Sequence, residues 1–438
     1  MIKKFIILAI ILTFLIGCSE SQLPEESIIT LTIWENYNNE EHVVFIEIVD
    51  EFVKEYNETH PDKKIKIQVD RVPFDGLLPK LKTSAMTKTT PDICRVDVAH
   101  VVPLAFGKSL INLDKFGAKE LHDKLVPAAI NSNIITIKGS DGTIRKGTYG
   151  LPDQTNTTVL FYNKTIFKRF AKELKEAGLN PDTAPRTWDE LIKYGKIITK
   201  PDQGIYAFAM NNSLWWTFPF FNSFGVEFIS FEDGKFITNI NKKPAIQALQ
   251  LKVDLYRKHK IEAGAWQSGA IGKEQGFINN KYAMIITGPW MLQSFKNSKV
   301  NFGTALIPAG PKGTSSNVGG TNMVIFKSCK HPEIAYEFLS YLVSEKTQVK
   351  WCNTLGQIPV VLSAFDKVDL KKFPEIKIFM EQMKTAKARP MIPNYDILET
   401  DIINPEMAAA LSGQKTVKQA LDDAAREIDK KILSIMNE

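Results

Sequence analysis

Short apolar segments of two kinds alternate along the chain. Residues 31–34 are mostly apolar, as in a strand, residues 43–56 repeat apolar side chains at helical spacing, and residues 64–69 alternate between polar and apolar positions. This order predicts a β-α-β unit. The alternation returns with a strand at 159–162 and a helix at 166–177. Strands that alternate with helices are typical of an α/β fold with largely parallel sheets.

Two helix starts carry the capping-box pattern, in which a Thr hydroxyl and a Glu or Gln three residues later satisfy backbone N–H groups. The first pairs Thr187 with Glu190, and the second pairs Thr416 with Gln419. The first box therefore predicts a helix that continues through Ile198, and the second predicts a final helix near the end of the chain.

The beginning of the chain carries an export signal. Two lysines precede a run at 5–16 that is apolar except for Thr13. As a helix it would span roughly 18 Å and is too short for a hydrocarbon core of roughly 30 Å. The sequence LIGC at 15–18 resembles the bacterial lipobox, in which the cysteine sulfur takes a diacylglycerol. We therefore predict a lipoprotein signal peptide at 1–17, lipidation of Cys18 and a polar tether at 18–27. The alternative is an ordinary signal peptide with a chance cysteine.

Composition narrows the class of protein. The length of 438 residues favours two domains, and 44% hydrophobic with 24% charged residues is typical of a globular protein, not of a disordered or multi-span membrane protein. The net charge of +6 comes from basic residues scattered among acidic ones, so no nucleic-acid partner is predicted. Besides Cys18, the chain has Cys94, Cys329 and Cys352, which we expect to be buried thiols and not a disulfide framework.

The motifs of common catalytic mechanisms are missing from the sequence. It contains no G-x-S-x-G elbow, no H-E-x-x-H pair and no glycine-rich phosphate or dinucleotide loop. The spacing of Cys94, Asp97 and His100 is metal-like, but these side chains need not converge on a strand-to-loop segment, so neither a metal nor a cofactor is predicted. Paired carboxylates for glycoside hydrolysis stay open, because 49 acidic residues offer many pairs.

Tryptophans occupy positions that suit a binding crevice. Trp215 and Trp216 are adjacent, and Trp290 follows Gly288-Pro289 directly after an apolar strand at 283–286. Flat indole faces suit the C–H faces of sugar rings, while nearby carboxylates and amides take the hydroxyls. The alternative is core packing. Because adjacent Trp215 and Trp216 cannot both point the same way, one of the two could belong to the core.

Several segments resemble the extracellular solute-binding proteins of bacterial ABC importers, in particular the sugar-binding family that includes the maltose-binding protein. In family order, and over nearly the whole mature chain, the matching segments are TPDI at 90–93, YGLP at 149–152, LFYNK at 160–164, the run 277–290 that ends in Gly-Pro-Trp, VGGTN at 318–322, IAYEFL at 334–339 and LSGQKTVKQAL at 411–421.

The resemblance implies an α/β fold of two lobes, the periplasmic-binding-protein-like clamshell, with largely parallel sheets and a ligand cleft between the lobes. One lobe would comprise residues 28–153 and 319–365, and the other 154–318 and 366–438. The resemblance also implies that the protein, without catalysis, captures a sugar or oligosaccharide by lobe closure and delivers it to the transmembrane subunits of an ABC permease.

Carried over position by position, the resemblance implies a set of ligand-binding residues: Trp34, Glu35, Asn36, Asp97, Trp215, Trp216, Trp290, Gly320, Asn322 and Tyr395. The chain departs from the family at 393–399, where the maltose-binding protein has a further tryptophan and this sequence has none. Specificity for maltodextrin is therefore in doubt, although Tyr395 could compensate.

Two other functions stay open. The same fold could serve as the ligand sensor of a membrane receptor, which the neighbouring genes would decide, or the protein could be a surface glycan hydrolase, which turnover of an oligosaccharide would reveal. On the main interpretation, we expect an exported monomer that is held on the cell membrane by the N-terminal lipid.

Overall fold

Two larger β-sheets organise the chain in the computed structural model, which describes residues 28–138, 144–390, 392 and 394–437. The strands in chain order are β1 (Ile29–Glu35), β2 (Ile65–Arg71), β3 (Ile93–Asp97), β4 (Ile134–Lys138), β5 (Ile144–Thr148), β6 (Leu151–Thr157), β7 (Val159–Asn163), β8 (Tyr206–Ala209), β9 (Ile229–Glu232), β10 (Lys235–Thr238), β11 (Tyr282–Thr287), β12 (Phe302–Ala305) and β13 (Val318–Ile325). The five-stranded sheet has the order β2-β1-β3-β13-β6, and the four-stranded sheet has the order β12-β7-β11-β8.

Helices cover both sheets. In chain order they are α1 (Asn39–Thr59), α2 (Phe74–Thr87), α3 (Val98–Phe106), α4 (Pro127–Ile130), α5 (Lys164–Arg169), α6 (Ala171–Glu176), α7 (Trp188–Ile198), α8 (Leu214–Ser223), α9 (Lys243–Arg257), α10 (Lys273–Ile278), α11 (Leu292–Asn297), α12 (Pro332–Leu342), α13 (Glu345–Leu355), α14 (Ile376–Met383), α15 (Asn404–Ser412), α16 (Val417–Ile428) and α17 (Ser434–Asn437).

Each of the two larger sheets has one strand that runs against the others. In the five-stranded sheet, β1 pairs parallel with β2 and β3, whereas β13 pairs antiparallel with β3 and β6. In the four-stranded sheet, β8 pairs parallel with β11, whereas β7 pairs antiparallel with β11 and β12. All other strands of each sheet therefore share one direction, which confirms the predicted α/β class with largely parallel sheets.

The local predictions hold except in two details. The first β-α-β unit is β1, α1 and β2, and Thr416 opens α16 with a complete capping box. The predicted helix at 166–177 is instead split into α5 and α6 at Phe170, whose backbone leaves helical geometry. At α7 the Thr187 hydroxyl accepts from the N–H of Glu190, but the Glu190 carboxylate accepts from the N–H of Arg186, so only half of that box forms.

The chain crosses between the two sheets at Thr158, which separates β6 from β7. It crosses back between β12 and β13, where the Thr157 hydroxyl donates to the carbonyl of Asn317 at 2.9 Å and Thr158 Oγ1 lies 2.8 Å from Ser316 Oγ. A third segment runs alongside, because Lys387 bridges to Asn317. These three segments therefore lie side by side next to the crossings. The division into one lobe at 28–153 and 319–365 and another at 154–318 and 366–438 stays a prediction.

Separate apolar cores lie against the two sheets. Phe45 of α1 and Phe338 of α12 meet edge to face in the core of the five-stranded sheet, at a centroid distance of 6.2 Å. Trp188 of α7 stacks on Phe220 of α8 in the core beside the four-stranded sheet, at 4.4 Å. Because each sheet has its own core, each can act as a rigid support for side chains at its edge.

The cysteines of the described residues are free and buried, as predicted, and they are Cys94, Cys329 and Cys352. Burial raises the pKa of the Cys329 thiol to about 12, so the thiol stays protonated at neutral pH.

Across the described ranges, no helix combines the length and the apolar character that crossing a membrane requires. The predicted signal peptide at 1–17, the lipidation site Cys18 and the tether at 18–27 lie outside these ranges.

Candidate functional site

A cavity of about 810 Å³ lies where side chains from both sheets meet. The five-stranded sheet and its helices contribute Asn36, Asn38, Glu41, Phe74, Asp75, Leu78, Pro79, Lys82, Arg95, Asp97, His100, Gln154, Asn156, Gly320 and Thr321. The other lining residues are Ser213, Trp215, Trp216, Trp290, Arg389, Tyr395, Asp396, Glu399, Thr400, Asp401 and Asn404.

Three half-buried tryptophans form one wall of the cavity. Trp215 and Trp216 lie in the first turn of α8, with ring centroids 6.5 Å apart and ring planes at 76°. Trp290 follows β11, and its ring centroid lies 6.2 Å from that of Trp216. Because neighbouring residues of a helix point only about 100° apart, both rings of the pair reach the cavity. The alternative that one of the two belongs to the core does not hold, because both are half-buried and line the cavity.

Glycines make room for two of these rings. A Cβ atom at Gly288 would lie 2.0 Å from Cζ3 of Trp290, and a Cβ atom at Gly319 would lie 2.2 Å from Cη2 of Trp215. Since real Cβ atoms never approach other atoms so closely, any side chain at either position would displace an indole ring. The Gly-Pro-Trp segment thus has a direct steric reason for its glycine.

Trp216 rests on a buried cation. Nζ of Lys273 lies 3.7 Å from the centre of the Trp216 ring, and the Lys273 side chain is fully buried and paired with Glu274. Burial lowers the pKa of Lys273, and Glu274 opposes that effect. A desolvated ammonium over an indole contributes about 2 kcal/mol, so Lys273 fixes the orientation of Trp216 from behind.

Arg95 organises the polar wall that faces the tryptophans. Its Nε donates to Asp153 at 2.8 Å, and its two terminal nitrogens donate to Asn36 and Gln154, each at 2.5 Å. The guanidinium carbon also lies 3.8 Å from the centre of the Tyr37 ring. The cation is therefore neutralised and holds two amide side chains at the surface of the cavity.

A second buried ion pair links segments that are far apart in sequence. Arg389 forms a salt bridge with Asp97, which also accepts from the N–H of Ala99 at the start of α3. Burial would raise the pKa of Asp97, but the Arg389 guanidinium outweighs burial and holds that pKa below its ordinary value. Arg389 also lies 4.8 Å from the Trp215 ring and 5.3 Å from the Tyr395 ring. This arrangement ties Asp97 to the aromatic wall.

Several polar atoms of the lining have no hydrogen-bond partner within the described part of the chain: Asn156 Oδ1, Thr321 Oγ1, His100 Nδ1 and Arg389 Nε. Burial lowers the pKa of His100, so its imidazole is neutral at pH 7. Buried polar groups are normally paired. Donors and acceptors left open around an aromatic wall are therefore suited to a ligand that carries many hydroxyl groups.

Seven of the residues predicted to bind ligand line the cavity, namely Asn36, Asp97, Trp215, Trp216, Trp290, Gly320 and Tyr395. Gly320 lines the cavity with its backbone only. Its φ is 146°, and a Cβ atom added there would lie 2.2 Å from the carbonyl oxygen of Gln154, so a side chain is excluded.

The other three predicted residues lie away from the cavity. The Trp34 ring is covered by Lys80, whose Nζ lies 3.7 Å from its centre. The fully buried Glu35 carboxylate accepts from the N–H of Tyr37 and lies 2.7 Å from Nδ1 of His42. The Asn322 amide bonds to Asn133 and Ser132 inside the protein. Of the segment 34–36, only the last residue reaches the cavity, because the strand ends there.

Sequence reasoning missed most of the segment 389–404 and helix α2. Arg389, Glu399 and Asn404 carry no motif, and only folding brings them to the cavity. Burial raises the pKa of the Glu399 carboxyl, whose Oε1 accepts from the N–H of Trp215 at 3.2 Å. The one available signal was the family resemblance around Tyr395.

The metal-like spacing does not make a metal site. Asp97 and His100 line the cavity, whereas Cys94 is fully buried in an apolar cluster with Val96. Among the described residues, no group of three or more His, Cys, Asp or Glu side chains is arranged to hold a metal ion.

Comparison with known proteins gives a consistent result. Residues 43–349 match the family described as bacterial extracellular solute-binding protein. The chain is 27% identical to the arabinooligosaccharide-binding protein of Bacillus subtilis, over 98% of both chains. Among solved structures it is similar to the GacH receptor of Streptomyces glaucescens, with TM-score 0.78, 24% identity and coverage of 92% and 98%. It is also similar to an ABC transporter solute-binding protein of Thermotoga lettingae bound with α-D-tagatose, with TM-score 0.77, 25% identity and coverage of 92% and 99%.

Proposed function

The chain belongs to the bacterial extracellular solute-binding proteins, and on that premise we propose that it captures an uncharged saccharide in the cavity between its two sheets and delivers it to an ABC importer. The role is binding without turnover. Relatives of similar length bind carbohydrates: the Bacillus subtilis protein is named for arabinooligosaccharides, and the Thermotoga lettingae protein was solved with tagatose.

The observation that carries the proposal is that an aromatic wall and a set of unpaired polar groups line the same cavity. Trp215, Trp216 and Trp290 offer indole surface to C–H faces of sugar rings. Asn156 and Thr321 offer hydrogen-bonding atoms that lack partners in the described chain. A saccharide is the small-molecule class that has both features, apolar ring faces and a rim of hydroxyls.

The charge pattern of the lining supports an uncharged ligand. The cations that line the cavity in the described ranges are Lys82, Arg95 and Arg389, and each already has a carboxylate partner. Holding a sugar phosphate through Arg95 or Arg389 would compete with a buried ion pair and leave its carboxylate unpaired, which is costly away from water. We therefore favour a neutral sugar or oligosaccharide over a phosphorylated one.

Contacts across the cavity support capture by closure. The Asn38 amide donates to the carbonyl of Trp290 at 3.1 Å, and Lys82 lies 2.5 Å from a carboxylate oxygen of Asp396. We propose that 28–153 with 319–365 and 154–318 with 366–438 are the two lobes that these contacts join. A ligand held by both lobes would shift the population towards the closed form, which the permease recognises.

A thermal-shift screen tests the proposal. A neutral saccharide panel, the matching sugar phosphates and a panel of amino acids are added to the purified protein. A ligand at a hundred times its Kd adds about 2.7 kcal/mol to the free energy of unfolding, so a neutral saccharide should raise Tm and leave no hydrolysis product on chromatography. A shift with amino acids alone would contradict saccharide binding, and release of smaller sugars would favour a hydrolase.

We further propose that Cys18 anchors the exported protein to the cell membrane. The proposal is based on the lipobox-like sequence and on membership of an extracellular family. Two or three acyl chains at about 0.8 kcal/mol per buried CH₂ would hold a water-soluble body on a membrane. In the native host, labelled fatty acid should enter the wild type and not Cys18→Ala. Equal labelling, or a mature N-terminus at another residue, would contradict the anchor.

A further inference from the structure

A second depression lies next to the cavity on the side of α9 and α15. It has a volume of about 640 Å³, and we call it the outer groove, defined by Asn212, Tyr256, Trp266, Gln267 and Asn404. None of the predicted ligand-binding residues lines it.

The chemistry of the outer groove repeats that of the main cavity. The rings of Trp266 and Tyr256 meet edge to face, with centroids 5.3 Å apart and planes at 82°. The Gln267 amide donates to the Tyr256 hydroxyl at 2.5 Å. Trp266 is partly buried, so part of its ring surface is left at the groove.

The outer groove and the main cavity share a wall. Asn404 lines both of them, and its Oδ1 accepts from the N–H of Leu214 at 2.7 Å, at the start of α8. The two residues just before Leu214 are divided between the two spaces, since Asn212 lines the groove and Ser213 lines the cavity. We call the boundary formed by Asn212, Ser213 and Asn404 the ridge, and it carries amide and hydroxyl side chains.

The cation that lines the groove, Arg257, already has a hydrogen-bond partner within the protein. The Arg257 guanidinium donates to the carbonyl of Ser412 at 2.8 Å, at the end of α15. A carbonyl at a helix C-terminus carries partial negative charge, so this contact partly satisfies the cation.

We infer that a saccharide chain too long for the main cavity continues over the ridge at Asn404 and places its outer units on Trp266. This inference rests on the proposed function and adds to it a preference for oligosaccharides over short sugars. One sugar unit stacked on Trp266 adds apolar contact, so affinity should rise at the chain length that reaches the groove.

The test is calorimetric titration with oligosaccharides of increasing length, from the class that the thermal-shift screen identifies. In the wild type, Kd should fall about tenfold between the shortest and the longest members. Trp266→Ala should abolish that gain while the shortest members bind as tightly as before. The matched control is Phe231→Ala, which removes an aromatic side chain that is 63% exposed and outside both spaces.

A second variant guards against misfolding of Trp266→Ala. Gln267→Ala removes an exposed side chain and its bond to Tyr256, and it should reduce the gain for long chains about threefold with an unchanged Tm. Equal wild-type affinity for short and long chains, or an equal loss at every length in Trp266→Ala, would overturn the inference and leave the proposed function intact. Failure of every saccharide to bind the wild type would overturn both.

Discussion

Replacing Trp290 with alanine should weaken saccharide binding and leave the fold intact. The Trp290 ring lies against the backbone of Gly288 and edge to face with Trp216, so it is supported from behind and open towards the cavity. The contact of Asn38 uses the main-chain carbonyl of Trp290 and therefore survives the substitution. The loss is confined to the indole.

The expected magnitude follows from the area of one ring face. An indole face that covers about 60 Å² of sugar, at roughly 25 cal/mol per Å², contributes about 1.5 kcal/mol. This value corresponds to a rise in Kd of about tenfold. Trp290 is only half-buried, so truncation should change Tm much less than truncation of a core tryptophan, which costs about 3–5 kcal/mol.

Isothermal titration with the saccharide that most raises Tm measures the change, and urea unfolding of the same variant measures stability. The matched control is Trp188→Ala, which removes a core tryptophan stacked on Phe220 and should lower stability without changing the affinity of the folded fraction. Unchanged affinity in Trp290→Ala, together with a sharp loss of stability, would refute the stacking role and assign Trp290 to the core.

Three further predictions concern buried charges. Lys273→Met should weaken saccharide binding about threefold and shift the fluorescence of Trp216, because the cation–π contact is lost, whereas Lys273→Arg should restore binding. Titration measures the Kd values and emission spectra measure the fluorescence. Identical Kd values for Lys273→Met and the wild type would contradict a supporting role of Lys273. Asp97→Asn should lower Tm most above pH 5, since Arg389 holds the wild-type carboxylate ionised there. A Tm difference between variant and wild type that is the same at pH 3 and pH 7 would contradict this. Burial raises the pKa of Glu262 to about 7, so the folded state binds this proton more tightly than the unfolded state does. The free energy of unfolding should therefore fall as the pH rises from about 4.5 to 7. Urea unfolding should find a smaller fall in Glu262→Gln than in the wild type, and an equal fall in both would exclude Glu262 as its source.

Much of the fold could be predicted because its signals are local. The period of apolar residues in 43–56 and the capping box at Thr416 are short-range patterns, and α1 and α16 form where these patterns predict. The split at Phe170 was missed because both halves are good helix formers, and only packing of Phe170 into the core interrupts them.

The site was predicted less completely, because its residues meet only through the fold. Trp290 was found from its Gly-Pro-Trp context, whereas Arg389 and Asn404 have no such context and reach the cavity through long-range packing. Glu35 and Asn322 were predicted as ligand contacts because the family resemblance implies them. In the structure both side chains form hydrogen bonds within the protein, and a sequence does not reveal whether a polar group already has a partner.

A crystal structure of the protein with the saccharide that most raises its Tm tests the central claim most directly. The account predicts sugar rings in the main cavity, with at least one ring stacked on Trp215, Trp216 or Trp290 and hydroxyls within hydrogen-bond distance of Asn156 or Thr321. A saccharide bound elsewhere on the protein, with this cavity filled only by water, would contradict it.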